Sequence, residues 1–347
     1  MENIYPMRNL IYTILIVAIA GIASPVFALT VSPPRVEIAG DPGAILQGEI
    51  ELFNEQEGDR TFYTTFENFE SSGDSGAPRF IGAKDGLATW ITAEDKVILE
   101  SGKRIVVPFS IAIPKNAEPG GHFAAIFFGS QEPGSQGGGQ VSVGGKIGVL
   151  MLLRVSGEIL EGGGLLEFTA KEKQKLFSVL PVTFLYRINN VGGDRVVPLG
   201  EIKIKNTFRS TSIILPANKS EGSILPGSAR KFEAVWGEEL QIENNKEKKI
   251  EEAGFFSEFF EIAQKQWSEF HFGWYTAELN IMWGAKNQTA FHQYSFFIIP
   301  WQLLSIIFTI LIIIGFLGRI GLKKYNRWII AKAREHFNLT QENNKNE

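Results

Sequence analysis

An uncharged apolar stretch from Phe296 to Leu317 constrains this chain more than any other feature. About 20 apolar residues are enough to cross the hydrocarbon core of a bilayer as a helix. Pro300 stands near the start, where its missing N–H does no harm. Trp301 lies where an aromatic ring would meet the lipid headgroups. We therefore predict a transmembrane helix over residues 297–318.

The residues after this stretch are rich in cations. Glu335 is the only acidic residue near the following group: Arg319, Lys323, Lys324, Arg327, Lys332 and Arg334. Lys and Arg clustered beside a membrane helix stay on the cytoplasmic side. The pattern predicts a single-pass type I protein of the cell membrane, with a basic cytoplasmic tail over 319–347 and residues 29–295 outside the cell.

The N-terminus has the three parts of a secretory signal. Arg8 precedes an apolar run from Leu10 to Ile22, and small residues lead to Ala28. A positive start, a short apolar stretch and a small-residue cleavage site are typical of a signal peptide. We expect residues 1–28 to be removed after Ala28. An uncleaved membrane anchor is the alternative.

Residues 29–160 show the alternation of half-buried β-strands. Apolar residues occupy every second position from Ile105 to Ile113, which indicates a strand with one face in a core. The stretch from His122 to Gly129 is almost continuously apolar and needs cover on both faces. About seven short strands with turn signals between them predict an immunoglobulin-like β-sandwich. A barrel is the alternative.

A second domain is predicted over residues 165–296. Three glycines at 162–164 mark the boundary, since glycine weakens the interior of any element. Strand patterns recur from Val182 to Ile188 and from Tyr275 to Trp283. The predicted fold class is therefore all-β, with two immunoglobulin-like sandwiches, a helical insertion in the second and one C-terminal membrane helix.

The helical insertion is predicted over residues 247–268. A charged stretch is followed by apolar residues at helical spacing: Phe256, Phe259, Phe260, Ala263 and Trp267. We expect this stripe to cover an open end of the sandwich. The alternative is that it dips into the lipid interface beside the membrane helix, but Glu258 and Glu261 next to the stripe argue against deep insertion.

Residues with catalytic or metal-binding patterns are scarce. The chain has no cysteine and four histidines, and no two histidines share a metal-ligand spacing. Neither a G-x-S-x-G motif nor a phosphate-binding loop is present. The net charge of -4 gives no basic footprint for nucleic acid. We predict a non-enzymatic protein with no cofactor, no metal site and no nucleic-acid partner.

Three segments resemble the WxL-interacting cell-surface proteins of Gram-positive bacteria. They are VILESGKRIVVPFSIAIPKNAEPGGHFAAIFFGS at 97–130, FLYRINNVGGDRVVPLGEIKIKN at 184–206 and GWYTAELNIMWG at 273–284. The order of signal peptide, two sandwich domains, membrane helix and basic tail is also similar. The resemblance implies peptidoglycan binding by the first domain and surface-protein binding by the second. A helical insertion at 247–268 departs from the family pattern, and no binding motif can be transferred residue by residue.

These features predict a surface binding or adhesion protein whose partner is cell-wall glycan or another surface protein. Loops at the sandwich ends and open strand edges are the expected contact sites. Trp90 is a candidate stacking platform for a glycan, although a buried sandwich tryptophan is the more common case. The alternative is a membrane-anchored assembly factor resembling the pilus chaperones, which lend a strand to a subunit.

Overall fold

The computed structural model describes residues 29–132, 145–207, 209–237 and 255–343. The predicted signal peptide at 1–28 lies outside these residues. The chain divides into two compact units. One takes in the residues up to Gly163 together with 190–196 and 224–230, and the other takes in the rest.

The first sandwich has ten strands in two sheets. Sheet A has the order β1-β3-β8-β6, and sheet B has the order β2-β10-β9-β4-β5, with β7 also paired to β4. The strands are β1 (Leu29–Ser32), β2 (Arg35–Gly40), β3 (Ile45–Asn54), β4 (Arg60–Ser72), β5 (Ala77–Gly82), β6 (Ile91–Ala93), β7 (Lys96–Leu99), β8 (Arg104–Ala112), β9 (Gly120–Gly129) and β10 (Lys146–Val155).

The burial patterns of β8 and β9 confirm the two strands that the sequence predicts most clearly. In β8, Val107, Phe109 and Ile111 are buried between the sheets while the residues between them are exposed or half-buried. β9 is buried on both faces: Ile126 and Phe128 enter the core, and Ala125 and Phe127 are covered on the outer face. Burial of these side chains is the main stabilising term of the sandwich.

The second sandwich pairs a three-stranded sheet, β11-β13-β16, with a five-stranded sheet, β12-β18-β17-β14-β15. Phe184 and Phe296 meet across the two sheets with ring centroids 5.6 Å apart. Its strands are β11 (Gly163–Ala170), β12 (Leu176–Phe177), β13 (Val182–Asn190), β14 (Leu199–Asn206), β15 (Arg209–Pro216), β16 (Ser228–Trp236), β17 (Gly273–Trp283) and β18 (Gln288–Ile298).

The described part of the chain has two α-helices: α1 (Phe255–Ser268) lies between β16 and β17, and α2 (Trp301–Asn343) follows β18. α1 lies within the predicted insertion at 247–268, of which residues 247–254 are outside the described part. An 18-residue stretch of α2, within Trp301–Ala333, is apolar enough to span a membrane, with a mean hydropathy of 2.5. The predicted start of the membrane helix at 297 is wrong, because Phe297 and Ile298 complete β18 and pair with Trp274 and Gly273.

The apolar stripe of α1 is arranged differently from the favoured prediction. Ala263 is 4% exposed and packs inward, but Phe256, Phe260 and Trp267 are 73%, 59% and 72% exposed. The prediction that the whole stripe covers an open end of the sandwich is therefore wrong, because three of its rings are exposed. At about 100° per residue, these three rings lie within an arc of roughly 40° beside the buried face of α1.

Asn54 shows how buried amides hold the loops of the first sandwich. Its Nδ2 donates to the carbonyls of Gly58 and Leu99 at 3.0 and 3.1 Å, and its Oδ1 accepts from the Gln56 N–H at 3.0 Å. The residue is 0% exposed. The bond to the Leu99 carbonyl is buried, where water cannot replace it, so Asn54 fixes the β3–β4 turn against the end of β7.

We predict that Asn54→Ala destabilises the first sandwich by about 2–3 kcal/mol, because it leaves two carbonyls and one N–H without a partner. The exposed Asn116→Ala is the control and should change stability by less than about 0.5 kcal/mol. Guanidinium unfolding of the 5-fluorotryptophan-labelled chain in detergent measures this through Trp90, the one tryptophan among residues 29–163. Equal midpoints for the two variants at the Trp90 signal would contradict the assignment.

Candidate functional site: an open strand edge beside an apolar slit

β10 is paired on both sides over only part of its length. Its parallel register with β2 begins at Leu150, whose N–H donates to the Pro34 carbonyl at 3.0 Å. Its antiparallel register with β9 runs from Lys146 to Val155. Among the described residues, no strand continues beside Lys146–Val149 on the β2 side. This open edge is about 13 Å long.

The direction of each backbone group along the open edge follows from the register. Strand backbone groups alternate sides, and those of Leu150 face β2. The N–H and C=O groups of Gly148 and Lys146 therefore face the open side, while those of Ile147 and Val149 face β9. An unpaired row of this kind is a template for an added strand.

A slit lies next to the open edge, between the two sheets of the first sandwich. We call it the apolar slit after four of its lining residues, Leu29, Phe62, Phe128 and Ile147, although about half of its lining is polar. Its volume is about 280 Å³. Leu29 of β1 and Ile147 of β10 form its walls, and the core residues Phe62 and Phe128 lie at its base. Gln56, Ser130, Gly145 and Lys146 complete the lining. The slit offers room for a side chain beside backbone groups that can pair with an extended chain.

The outer face of the edge is held by Lys146 and Phe127. The Lys146 ammonium lies 4.1 Å from the centre of the Phe127 ring and 2.5 Å from the Glu67 carboxylate. Gly148 lies under the same ring, and a Cβ there would come within 2.6 Å of it. The absence of a side chain at Gly148 therefore lets Phe127 pack against β10.

A second, polar cleft lies on sheet A. Its volume is about 800 Å³, and it is formed by residues of β3, β6 and β8 with Glu94. Five of its nine lining residues have side chains that can form hydrogen bonds: Gln47, Glu49, Thr92, Glu94 and Ser110. Within the described residues, no group of three histidine or acidic side chains could hold a metal ion.

Trp90, the predicted stacking platform, is half-buried against the core of the first sandwich. Its ring lies 4.7 Å from that of His122, centre to centre, so one of its faces is covered. Trp90 lines neither the apolar slit nor the polar cleft. Sequence reasoning did not locate the open edge. The signal that points to it is that the apolar stretch of β2 is shorter than that of β10.

No family model and no curated protein matches this chain. Solved structures that are similar include the class 5 fimbrial chaperone CfaA, at 12% identity over 77% of this chain and 98% of its own, with a TM-score of 0.35. A chain of the CsuC–CsuE chaperone–tip adhesion subunit complex from Acinetobacter baumannii matches at 8% identity over 77% and 97%, with a TM-score of 0.34. Similarity at this level does not extend to ligands or partners.

We predict alternating amide exchange along the first residues of β10. The Lys146 and Gly148 amides should exchange with solvent at least about tenfold faster than those of Ile147 and Val149, which are bonded to β9. Hydrogen–deuterium exchange followed by NMR on the full chain in detergent measures all four amides. Equal protection at Gly148 and Val149 would show that the β2 side of the edge is already paired.

Proposed function

We propose that this chain is a non-enzymatic, membrane-anchored surface protein that binds an extended segment of another surface protein along the open edge of β10. The proposal rests on two features that lie at the same edge: backbone groups of β10 that have no partner strand among the described residues, and the apolar slit beside them. In strand addition, main-chain hydrogen bonds supply affinity and pockets for alternate side chains supply specificity.

The proposed location at the cell surface rests on the apolar first part of α2 and on the cations in its second part. Cations follow the apolar stretch at Arg319, Lys323 and Lys324, which favours a cytoplasmic C-terminus and sandwiches outside. The predicted signal peptide gives the same orientation. We include the resemblance to WxL-interacting surface proteins in the proposal, because those proteins have the same order of segments.

The assembly-factor alternative uses the same edge in another way. There, β10 would complete the fold of a subunit that lacks a strand, instead of receiving a segment that is otherwise extended. The two cases differ in the partner. A subunit that is soluble and folded only in the complex favours the assembly factor, whereas a partner that remains folded alone favours surface binding.

The proposal predicts that two residues of the open edge, Lys146 and Ile147, are needed for binding. Lys146→Pro removes an N–H that faces the partner while proline is tolerated at an open edge, so affinity should fall about 3- to 10-fold. Ile147→Asp places a charge in the apolar slit and should lower affinity by about 100-fold. Peptides selected from a displayed library of random ten-residue segments against the full chain in nanodiscs provide the probe.

Two controls separate backbone pairing from other effects. Lys146→Ala keeps the N–H and loses only the ammonium, so it should bind as the wild type does. Ile98→Asp introduces the same charge at an exposed position of β7, away from the slit, and should also bind normally. Selected peptides that bind Lys146→Pro and Ile147→Asp unchanged would exclude the edge as the binding site.

A second candidate function, cell-wall glycan binding, is supported by the polar cleft on sheet A. Its hydrogen-bonding lining, including Glu49 and Glu94, suits a polar ligand.

If the cleft binds glycan, the full chain in detergent should co-sediment with purified peptidoglycan sacculi in moderate salt. Glu49→Gln with Glu94→Gln should then weaken binding to the sacculi by about 30-fold or more, because two ionised hydrogen bonds of about 1.5–3 kcal/mol are replaced by neutral ones of about 0.5–1.5 kcal/mol. Lys146→Pro should leave it unchanged. A wild-type chain that stays in the supernatant would leave the protein partner as the sole candidate.

A further inference from the structure

We propose that α1 is an interfacial membrane helix that lies in the headgroup layer beside the start of α2. The inference rests on the proposed membrane anchor and adds a second contact with the lipid. The rings of Phe256, Phe260 and Trp267, exposed on one side of α1, are the contact surface. The occupant of this surface is the boundary between the headgroups and acyl chains of the outer leaflet.

The position of α1 along the membrane normal is fixed by its bonds to the first turn of α2. Gln266 is 1% exposed, and its Nε2 donates to the Gln302 Oε1 at 2.5 Å and to the Ser178 carbonyl at 3.1 Å. Its Oε1 accepts from the Leu303 N–H at 2.9 Å. The Phe259 and Trp301 rings also meet, 5.7 Å apart. α1 therefore lies at the level of residues 301–303.

The depth of residues 301–303 follows from the length of the uncharged stretch. Arg319 is the first charged residue of α2, so the uncharged part runs from Trp301 to Gly318. At 1.5 Å per residue this part is about 27 Å long, and the hydrocarbon core is about 30 Å thick. The whole stretch is needed to cross the core. Residues 301–303 consequently lie at the boundary with the headgroups, and so does α1.

The faces of α1 match those of a helix lying in this layer. One side carries Ala263 and Gln266 and is buried in the protein. The neighbouring side carries the three exposed rings, and the opposite side carries Glu258, Glu261 and Lys265. Interfacial helices bury aromatic and apolar side chains at the headgroup boundary and leave their charged face in water. The carboxylates of Glu258 and Glu261 are therefore compatible with shallow insertion.

The end of the second sandwich adds exposed aromatic rings at the same level. Trp274 is 55% exposed and pairs with Phe297 in the β17–β18 register. Phe297 lies four residues before Trp301 in the sequence. Its ring lies 4.9 Å from that of Phe297. Trp301 itself is also exposed. Tryptophan is enriched at membrane interfaces because its ring is amphipathic, so these residues fit an aromatic belt around the entry of α2.

The absence of cysteine allows a direct test on the full chain. Spin labels are attached to Phe260→Cys, Trp267→Cys, Glu261→Cys and Ile313→Cys, one at a time, in phosphatidylcholine nanodiscs. Collision with oxygen, which concentrates in lipid, is compared with collision with a water-soluble nickel complex. We expect the depth parameter to shift from negative at 261 to positive at 260 and 267, and to be most positive at 313. All four positions are exposed, so the labels leave the core intact.

Each alternative result identifies what has failed. Water-like labels at 260 and 267, with 313 in lipid, would overturn the interfacial position of α1 and leave the membrane anchor standing. Labels at 260 and 267 that neither relaxant reaches would also overturn it, in favour of contact with a second copy of the chain. A water-like label at 313 would instead contradict the anchor, and with it the proposed function.

Discussion

The first sandwich depends on how one short stretch of chain serves both sheets. β1 pairs with β3 in sheet A, and β2 pairs with β10 in sheet B, with only Pro33 and Pro34 between them. Proline has no N–H to continue a ladder, so the chain leaves one sheet and enters the other at this point. Because β2 can pair only after the crossing, the first four residues of β10 have no partner strand on that side among the residues that the structure describes. The open edge and the slit between Leu29 and Ile147 are two results of the same crossing.

An open apolar edge is a hazard for aggregation, and the outer face of β10 limits it. Lys146 stands at the first position of the strand and holds its ammonium between Glu67 and the Phe127 ring. A lysine at an edge is a common means of discouraging unspecific pairing. The edge is thus short and carries one charge, while its inner side offers the slit. In the proposed function, this combination would favour a selected segment over a generic strand.

The sequence predicts elements where one pattern has one structural meaning. The alternation from Ile105 to Ile113 can only be a half-buried strand, and the structure confirms it as β8. The run from Phe296 to Leu317 fits both a buried strand and a membrane helix, so its apolar character does not locate the change from β18 to α2 at Pro300. Three glycines at 162–164 predict a domain boundary, and the two compact units divide between Gly163 and Gly164. The glycines do not interrupt the strand, since β11 begins at Gly163 beside β13. The ends of a strand are set by partner strands that are distant in sequence. The local pattern of residues carries no information about those partners.

Composition alone cannot distinguish the two possible environments of the α1 stripe. Phe256, Phe260 and Trp267 are suited equally to a protein core and to a lipid interface. The deciding residue is Gln266, a polar side chain whose amide satisfies three groups in the second unit, two of them on α2. Since a 14-residue helix is marginal alone in water, α1 depends on this packing for its stability. Fully burying a large apolar side chain contributes about 1.5–3 kcal/mol, so even partial burial of three rings adds several kcal/mol. The contacts through Gln266 make that gain conditional on insertion of α2. In the proposed arrangement, membrane insertion and the folding of α1 would therefore be coupled, and the second sandwich would be joined to the lipid at two points instead of one.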